Sequence, residues 1–457
     1  MTLWTAAAVA AATGGRVPVD FPITGVAYDS REVGPGDLFV ALKGEATDGH
    51  RFVEQALAQG AAGVLVSEPV EGPHIRVADT ALALDALGRA ARARTAARII
   101  GVTGSVGKTG TKEALAACLD RALPGRTHRS LKSYNNHVGV PLSLARMPAD
   151  SAFGVFEMGM NHAGELAALT RLVRPHVAIV TAVAPAHRAF FDSDEAIADA
   201  KGEIFLGLEP GGTALIPFNS PHRDRLIAAA APFAGRIVTF GLDAGADIRP
   251  RDRVTSGRGT IVSAIVDGAE LTFTLAPPGD HWLANAMAVL GAVHAAGGDL
   301  PAAGLALAEL PGLPGRGARI AVEAGNGTAL LIDESYNANP ASMAATLASL
   351  GQTPATRRLA VLADMRELGE HSAAFHAALA DPVERAGVAF ALLVGPEMAA
   401  LAESLEGRVD FAHVPDAAAA EARLSTMLAP GDAVLVKGSN SLGLSRLVAA
   451  LARRDDA

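Results

Sequence analysis

The sequence has little cysteine and few aromatic side chains. Its 457 residues include a single cysteine, Cys118, so no disulfide can form within the chain, and this composition suits a reducing compartment. Cys118 lies at helical spacing in KEALAACLDRAL, where we expect a buried, inert thiol. Aromatic residues make up 4% and apolar residues 50% of the chain. Its cores must therefore pack small and aliphatic side chains, as helix-covered parallel sheets do.

Long apolar runs and clusters of basic residues are also absent. No stretch approaches the ~18 uninterrupted apolar residues of a membrane-spanning helix. The formal charge of −9 is modest and the basic residues are scattered, which argues against nucleic acid or an anionic membrane as a partner. The opening MTLWTAAAVAAATGG has no Lys or Arg before its apolar run, so it predicts a short helix ending at glycine rather than an export signal. These absences favour a cytoplasmic enzyme.

Strand and helix patterns predict three α/β domains, a number that the chain length also suggests. Residues 1–95 read as a small α/β domain, with DLFVAL and AGVLVS as strand-like runs. Residues 96–313 alternate strands and helices, which predicts a larger, central parallel-sheet domain. Residues 314–457 show the strand and helix alternation of a Rossmann-like, doubly wound unit. No GxGxxG follows the first strand of this last domain, so we assign it no dinucleotide.

A phosphate-binding loop is indicated by GVTGSVGKTGT, residues 101–111, although one glycine of the general P-loop pattern is missing. That pattern places a glycine five positions before Gly107, where this chain has Val102. An apolar strand precedes the loop and a helix follows it, so backbone N–H groups at the helix start would face the phosphates. Lys108 would neutralise phosphate charge, and Thr109 would offer a hydroxyl to Mg²⁺. Nucleotide binding is therefore favoured over a simple turn.

Three further polar residues stand in positions where chemistry often occurs. Glu157 and His187 each follow an apolar strand, at the end of a parallel sheet where ligands gather. Lys201 lies within a helical segment, ADAKGEIF. Taken one at a time, a strand-end carboxylate, a single histidine and a helix lysine are more often structural or solvated than catalytic.

A series of motifs in one order along the chain resembles the Mur ligase family, the ATP-dependent amide-forming enzymes of peptidoglycan precursor synthesis. The matching segments include AYDSREVGPGDLFVALKGEATDGHRF, TGSVGKTGTKE, NNHVGVPLSL, EMGMNH, APAH, AKGEIF, GDHWLANAMAVL, LPGRG, DESYNANPASM, ADMRELGEH and VKGS. They span nearly the whole chain. The family's own loop resembles TGxxGKT and has no glycine at the position of Val102, so this departure from the general pattern agrees with the family.

The resemblance implies an activity and its cofactors. The resemblance as a whole implies ATP-dependent amide formation through an acyl phosphate, with ADP released and two Mg²⁺ ions bound. Within the family, NNHVGVPL and YNANP favour addition of D-Ala-D-Ala to UDP-MurNAc-tripeptide. The resemblance also implies that Lys201 is carbamylated and so becomes an anionic ligand of the second Mg²⁺. The implied catalytic residues are Lys108, Lys201, His187 and Arg316. The implied metal ligands are Thr109, Glu157, His187 and Lys201.

The resemblance also assigns contacts to ATP and to the other substrates. The implied ATP contacts are Gly104, Ser105, Val106, Gly107, Lys108, Thr109, Gly110, Asn285, Arg316 and either Asp333 or Glu334, which the sequence does not separate. The implied contacts to the nucleotide-sugar peptide or the dipeptide are Ser30, Arg31, Asn135, Asn136, His137, Asn337, Asn339 and Lys437. Asp364 and Arg366 are weaker candidates. The implied enzyme is a monomer.

Two residues depart from the family pattern, and two alternative functions stay open. Gly110 stands where many relatives carry a hydroxyl residue, and Trp282 where many carry asparagine. The first alternative is a sibling ligase that adds diaminopimelate or lysine to UDP-MurNAc-dipeptide, although its DNPR-like motif is not found here. The second is a P-loop NTPase that forms no amide, which would leave Lys201, DESYNANP and DSR unexplained together.

Overall fold

Three larger sheets and one small one organise the chain. The computed structural model describes residues 2–44, 47–185, 189–256 and 259–453. The larger sheets have four, nine and six strands, and each contains parallel pairs flanked by helices, which confirms the α/β class. Within these residues, no helix combines the length and the apolar character needed to span a membrane.

The first sheet runs in sequence order, β3-β4-β5-β6, with all neighbours parallel. Gly14, with φ +66°, caps the first helix, which confirms the prediction of a short N-terminal helix ending at glycine. The elements of this part are β1 Trp4–Thr5, α1 Ala6–Thr13, β2 Pro22–Ile23, β3 Gly25–Ala27, β4 Asp37–Val40, α2 Val53–Ala58, β5 Gly63–Val66, β6 His74–Arg76 and α3 Thr80–Ala93, with 3-10 turns at Ser30–Glu32 and Gly49–Phe52.

The second sheet has the order β15-β14-β13-β12-β11-β10-β7-β9-β8. Its strands are β7 Arg98–Thr103, β8 Thr127–Arg129, β9 Phe153–Glu157, β10 Val177–Val180, β11 Thr213–Pro217, β12 Arg236–Phe240, β13 Ile248–Ser256, β14 Gly259–Val266 and β15 Ala269–Leu275. Its helices are α4 Lys108–Ala122, α5 Gly139–Ala145, α6 Glu165–Val173, α7 Asp194–Gly202, α8 Arg223–Ala230, α9 Asp280–Ala295 and α10 Leu300–Ala308. The neighbours β9, β7 and β10 are parallel, so the loops that follow them leave at one edge.

The second sheet is parallel over most of its width, as predicted, and it ends in an antiparallel extension that the sequence did not predict. Strands β13, β14 and β15 form an antiparallel meander. The segment IRPRDRVTS of β13 is mostly exposed, and its charged residues gave no sign of a buried parallel strand. Antiparallel strands can leave one face in water, whereas parallel strands need helices on both.

The third sheet has the order β16-β17-β21-β18-β19-β20, with β16 antiparallel and the others parallel. Each face of this sheet packs into its own apolar core, as in a doubly wound fold. Its elements are β16 Ala318–Ala324, β17 Gly327–Glu334, α11 Pro340–Gln352, β18 Arg357–Ala363, α12 Ser372–Ala377, α13 Ala380–Arg385, β19 Val388–Val394, α14 Ala399–Leu405, β20 Phe411–Val414, α15 Ala417–Met427, β21 Asp432–Lys437 and α16 Leu444–Ala452.

Candidate active site

One cavity of about 770 Å³ lies between the second and third sheets. Its walls come from the loops after β7, β9 and β10 on one side, and from the segments after β17, β18 and β21 on the other. The carboxyl ends of parallel strands are where α/β proteins bind ligands. Predicted residues that line the cavity are Ser105, Val106, Gly107, Lys108, Gly110, Asn135, Glu157, Lys201, Asn285, Arg316, Glu334, Asn337, Asn339, Arg366 and Lys437.

The loop between β7 and α4 has a conformation that needs glycine. Gly104 has φ +151° and Gly107 has φ +84°. A methyl group built on Gly104 would lie 1.9 Å from Thr181 Oγ1, and one on Gly107 would lie 2.8 Å from Asn285 Oδ1. Lys108 Nζ donates to Gly104 O at 2.7 Å, so the lysine folds back over the loop. The predicted phosphate loop is therefore a tight turn leading directly into a helix start.

The candidate metal carboxylate is held by two donors. Thr109 Oγ1 donates to Glu157 Oε2 at 2.8 Å, and Asn135 Nδ2 donates to Glu157 Oε1 at 2.8 Å. Glu157 is almost fully buried at the end of β9. The structure thus brings together a hydroxyl and a carboxylate that the sequence placed 48 residues apart. Asn135, predicted as a substrate contact, also orients this carboxylate.

Lys201 is 2% exposed, and its Nζ has no hydrogen-bond or ion-pair partner in the described part of the chain. Burial, and then the positive charge of Lys108, lower the pKa of Lys201 well below its usual range. Burial also lowers the pKa of Lys108, and the negative charge of Glu157 opposes that shift. Both effects favour the neutral amine of Lys201 over its ammonium form.

Residues 309–317, the junction between α10 and β16, place Arg316 in the cavity wall. Its guanidinium carbon lies 4.1 Å from the centre of the Tyr336 ring, and its Nη2 donates to Ser133 Oγ at 3.4 Å. No carboxylate of the described residues pairs with Arg316. An unpaired guanidinium beside a phosphate loop is suited to an anionic group.

Asp333 and Glu334, which the sequence left as alternatives, face different ways because successive side chains of a strand alternate. The Asp333 carboxylate accepts hydrogen bonds from the backbone N–H of Gly315, at 2.6 Å, and from Ser335. Asp333 therefore holds the junction, and Glu334 lines the cavity. Burial raises the pKa of Glu334, opposed by Lys437 Nζ, 3.5 Å from Glu334 Oε2.

Asn337, Asn339 and Lys437 meet on the opposite wall. Lys437 Nζ donates to Asn337 O at 2.9 Å, and burial lowers the pKa of Lys437. Asn339 is the N-cap of α11 and forms a capping box with Ser342. Its Nδ2 also donates to Ser105 O at 3.4 Å, which connects the third sheet to the phosphate loop.

Other predicted residues lie outside the cavity wall. Ser30 and Arg31 form part of a turn in the first domain, and Arg31 pairs with Asp29 at 2.6 Å. Asn136 Oδ1 accepts from Gly139 N at 2.9 Å, beside the start of α5, while His137 is exposed. The remaining predicted residues outside the wall are Gly104, Thr109, Asp333 and Asp364. His187 lies outside the described residues.

Two residues beside the site, Lys112 and Glu32, were not predicted from the sequence. Lys112 is fully buried, and its Nζ donates to Lys132 O at 2.6 Å and lies 3.9 Å from Glu157 Oε2. Glu32, in the first domain, accepts from the Tyr134 hydroxyl at 2.8 Å and pairs with the Lys132 side chain. The segment 130–135 therefore contacts the first domain, helix α4 and Glu157.

Lysine scarcity is the signal that would have pointed to Lys112. The chain has six lysines among its 39 Lys and Arg residues. Lys112, Lys201 and Lys437 are buried, and Lys108 is half-buried. Only Lys43 and Lys132 are exposed, so in this chain a lysine is more often a buried amine than a surface cation.

His281 was also missed. It lines the cavity from the first turn of α9, and burial lowers its pKa to about 4. It is therefore neutral at physiological pH. Nothing in the segment GDHWLANA predicted that His281 would line the cavity.

Three family models match the chain in order. They are described as Mur ligase family, catalytic domain, over residues 22–102; Mur ligase middle domain, over 102–293; and Mur ligase, glutamate ligase domain, over 317–440. A relative from Synechocystis sp., named UDP-N-acetylmuramoyl-tripeptide--D-alanyl-D-alanine ligase, is 37% identical over 94% of this chain and 92% of its own length.

Solved structures agree with this match over almost the full length. A crystal structure of MurF from Acinetobacter baumannii has a TM-score of 0.85 at 30% identity, covering 98% of this chain and 99% of that one. The crystal structure of MurF ligase from Thermotoga maritima in complex with ADP has a TM-score of 0.78 at 26% identity, covering 95% and 98%. With models covering all three sheets and a relative of this identity and coverage, the chain belongs to the Mur ligase family.

Proposed function

We propose that this chain is an ATP-dependent, ADP-forming ligase that joins D-Ala-D-Ala to UDP-MurNAc-tripeptide in peptidoglycan synthesis. The observation that carries the proposal is that the phosphate loop, Glu157, Lys201 and Arg316 line one cavity, where, among the described residues, Lys201 has no polar partner and Arg316 no carboxylate partner. Each of these groups is suited to an anionic substrate or its metal ion. The names of the relatives supply the identity of the substrates.

The donor set around Thr109 suits Mg²⁺. A hydroxyl and a carboxylate are the hard oxygen ligands that this ion prefers, and here they already lie 2.8 Å apart. We assign one Mg²⁺ to Thr109 and Glu157, and a second to Glu157, His187 and a modified Lys201. When bound, the ions neutralise phosphate charge.

The modification proposed for Lys201 is carbamylation. The lone pair of its neutral amine attacks the carbon of CO₂, a C–N bond forms, one C–O π pair moves to oxygen, and the nitrogen loses a proton. The side chain changes from a potential cation to an anion with two oxygen ligands. Two features support this step: the Nζ has no partner within the described residues, and burial lowers the pKa of Lys201, which favours the reactive neutral form.

The reaction requires positioning and charge neutralisation more than a strong nucleophile. The terminal carboxylate of the tripeptide attacks the γ-phosphorus of ATP, the bond to the β,γ-bridging oxygen breaks, and ADP leaves with that electron pair. The dipeptide amine, after losing a proton, then attacks the acyl carbon and displaces phosphate. Lys108 and Arg316 offset the negative charge that gathers where the two anions meet.

We assign the three substrates to three regions. Residues 1–95, with Ser30 and Arg31, bind the UDP end; residues 96–313 bind ATP; and residues 314–457 bind the dipeptide. Asn135, Asn136 and His137 line the peptide path, while Asn337, Asn339, Asp364, Arg366 and Lys437 serve ATP or the dipeptide. The enzyme is proposed to act as a cytoplasmic monomer.

A phosphate-release assay tests the proposal. Phosphate should appear only when ATP, Mg²⁺, UDP-MurNAc-tripeptide and D-Ala-D-Ala are all present, and mass spectrometry should find the pentapeptide product. Reactions that omit one component are the matched controls. Turnover with UDP-MurNAc-dipeptide and diaminopimelate or lysine, but not with D-Ala-D-Ala, would establish the sibling activity instead. ATP hydrolysis that depends on neither peptide substrate would indicate a simple NTPase.

A further inference from the structure

Gly110 is a glycine inside a helix that does not need one for its backbone. It is the third residue of α4, and its φ is not positive. Glycine in a helix interior is less favourable than alanine. A methyl group built on Gly110 would lie 3.0 Å from Trp282 Cη2 and 3.5 and 3.6 Å from two further ring carbons. The Trp282 ring therefore occupies the space that a side chain at position 110 would take.

Trp282 also reaches the junction that carries Arg316. It lies in the first turn of α9, is 8% exposed, and lines the cavity. A methyl group built on Gly317 would lie 3.6 Å from Trp282 Nε1. Gly317 has φ +93°, and its N–H donates to Asp333 O at 2.8 Å. The indole thus packs between the first turn of the phosphate-loop helix and the residue next to Arg316.

We propose that Gly110 and Trp282 form a matched pair that sets the spacing between the phosphate-loop helix and the Arg316 junction, and thereby the affinity for ATP. The identity of the ligand as ATP rests on the function proposed above. The two positions are the two departures from the family pattern in the sequence, and the structure places them in contact. A large side chain at 282 is compatible with α4 because position 110 has none. Trp282 and Gly110 are positioning residues, since they act through Lys108 and Arg316.

A four-protein cycle tests the pairing: the unaltered chain, Gly110→Ser, Trp282→Asn, and both changes together. Affinity for the β,γ-imido analogue of ATP with MgCl₂ is measured by calorimetry, which needs no turnover. Gly110→Ser should weaken binding about tenfold, because overpacking moves the indole. The double variant should bind at least about fivefold more tightly than the product of the single effects predicts. Independent effects would overturn the pairing.

Two further variants serve as controls for a folding defect and for a general disturbance of α4. Gly110→Ala intrudes less than serine and should weaken binding in the same direction, so a folding defect of Gly110→Ser does not end the test. Ala122→Ser introduces the same side chain at the far end of α4 and should leave affinity unchanged. A loss of affinity in Ala122→Ser equal to that in Gly110→Ser would overturn the proposal, because any disturbance of the helix would then suffice.

Fluorescence gives a readout that is independent of nucleotide. The chain has two tryptophans, so Trp4→Phe leaves Trp282 as the only emitter. In that background Gly110→Ser should shift the emission of the nucleotide-free protein, and unchanged emission would contradict the contact. If the unaltered chain binds no analogue, both the pair's role and the proposed function are overturned. If it binds and turns over while the cycle is additive, only the pair is overturned.

Discussion

Lys112 and Lys201 are two buried lysines with opposite surroundings. Lys112 has its charge matched, with Lys132 O at 2.6 Å and Glu113 Oε1 at 3.0 Å from its Nζ. Lys201 has no such partner in the described part of the chain, and it faces the cavity. Burial alone therefore does not mark a reactive amine. A buried amine with partners stabilises its surroundings, while one without partners loses its proton readily and is available for chemistry.

Lys201→Ala should have the largest effect on turnover. Without the amine no carbamate can form, so we expect a loss of at least about a hundredfold in kcat/KM by phosphate release. Short carboxylic acids such as formate or acetate should restore part of it, because they replace the missing oxygen ligands. Asp199→Ala, at an exposed ion pair on the same helix, is the matched control and should retain activity. Full turnover by Lys201→Ala would remove this residue from the mechanism.

The activity of the unaltered chain should also depend on pH through Lys201. Its lowered pKa means that the neutral, CO₂-reactive amine predominates above that pKa, and is lost as pH falls through it. At low bicarbonate, the rate should fall as the pH is lowered, and added bicarbonate should reverse the fall in part. A rate that ignores bicarbonate at every pH would speak against carbamylation.

Lys112→Met should act on stability instead. It leaves Lys132 O and Glu113 without their buried donor, at a cost of about 2 kcal/mol, which lowers the midpoint of the affected thermal transition by about 6 °C. Carboxylic acids should not restore any lost activity. Lys43→Met, at a surface lysine, is the control and should leave the midpoint unchanged. Rescue of Lys112→Met by formate would erase the distinction between the two lysines.

The sequence was informative wherever chemistry coincides with a local pattern. The loop at 104–109 and the strand ending at Glu157 could be predicted because strand, glycine turn and helix are neighbours in the chain. Lys201 required the family resemblance, since one lysine in a helix resembles a solvated charge. Which of Asp333 and Glu334 faces the cavity depends on strand orientation, which the residue types do not specify.

Contacts between distant segments could not be predicted. Lys112 meets Lys132 across 20 positions of sequence, and Gly110 meets Trp282 across 172. Neither contact leaves a periodic signal, because each depends on how α4 packs against segments that are distant in sequence. The antiparallel edge at 248–275 was missed for a related reason: its charged outer face looks like a loop when read without its partner strands.

Glu32→Gln should have a smaller effect than either lysine change. It weakens the ion pair with Lys132 and the hydrogen bonds from Tyr134, which join the first domain to the segment that Lys112 holds. Because Glu32 is partly exposed, we expect a cost of about 1 kcal/mol or less. KM for the nucleotide-sugar peptide should rise severalfold while KM for ATP stays the same. Glu54→Gln, at an exposed residue of α2, is the control, and an equal rise in both KM values would contradict a link specific to the first domain.

Cys118 is a buried group far from the cavity, and its replacement should have the smallest effect on activity. Its Sγ donates to Ala303 O at 3.5 Å, and burial raises its pKa to about 12. Thiolate is the reactive form, so an aromatic disulfide reagent should label the native chain at least about a thousandfold more slowly than the urea-unfolded chain. Cys118→Ala should retain activity. Lys112 and Lys201 together indicate that a buried group is reactive only when it faces the cavity without a partner. Fast labelling of native Cys118 would contradict this, because Cys118 is buried and does not face the cavity.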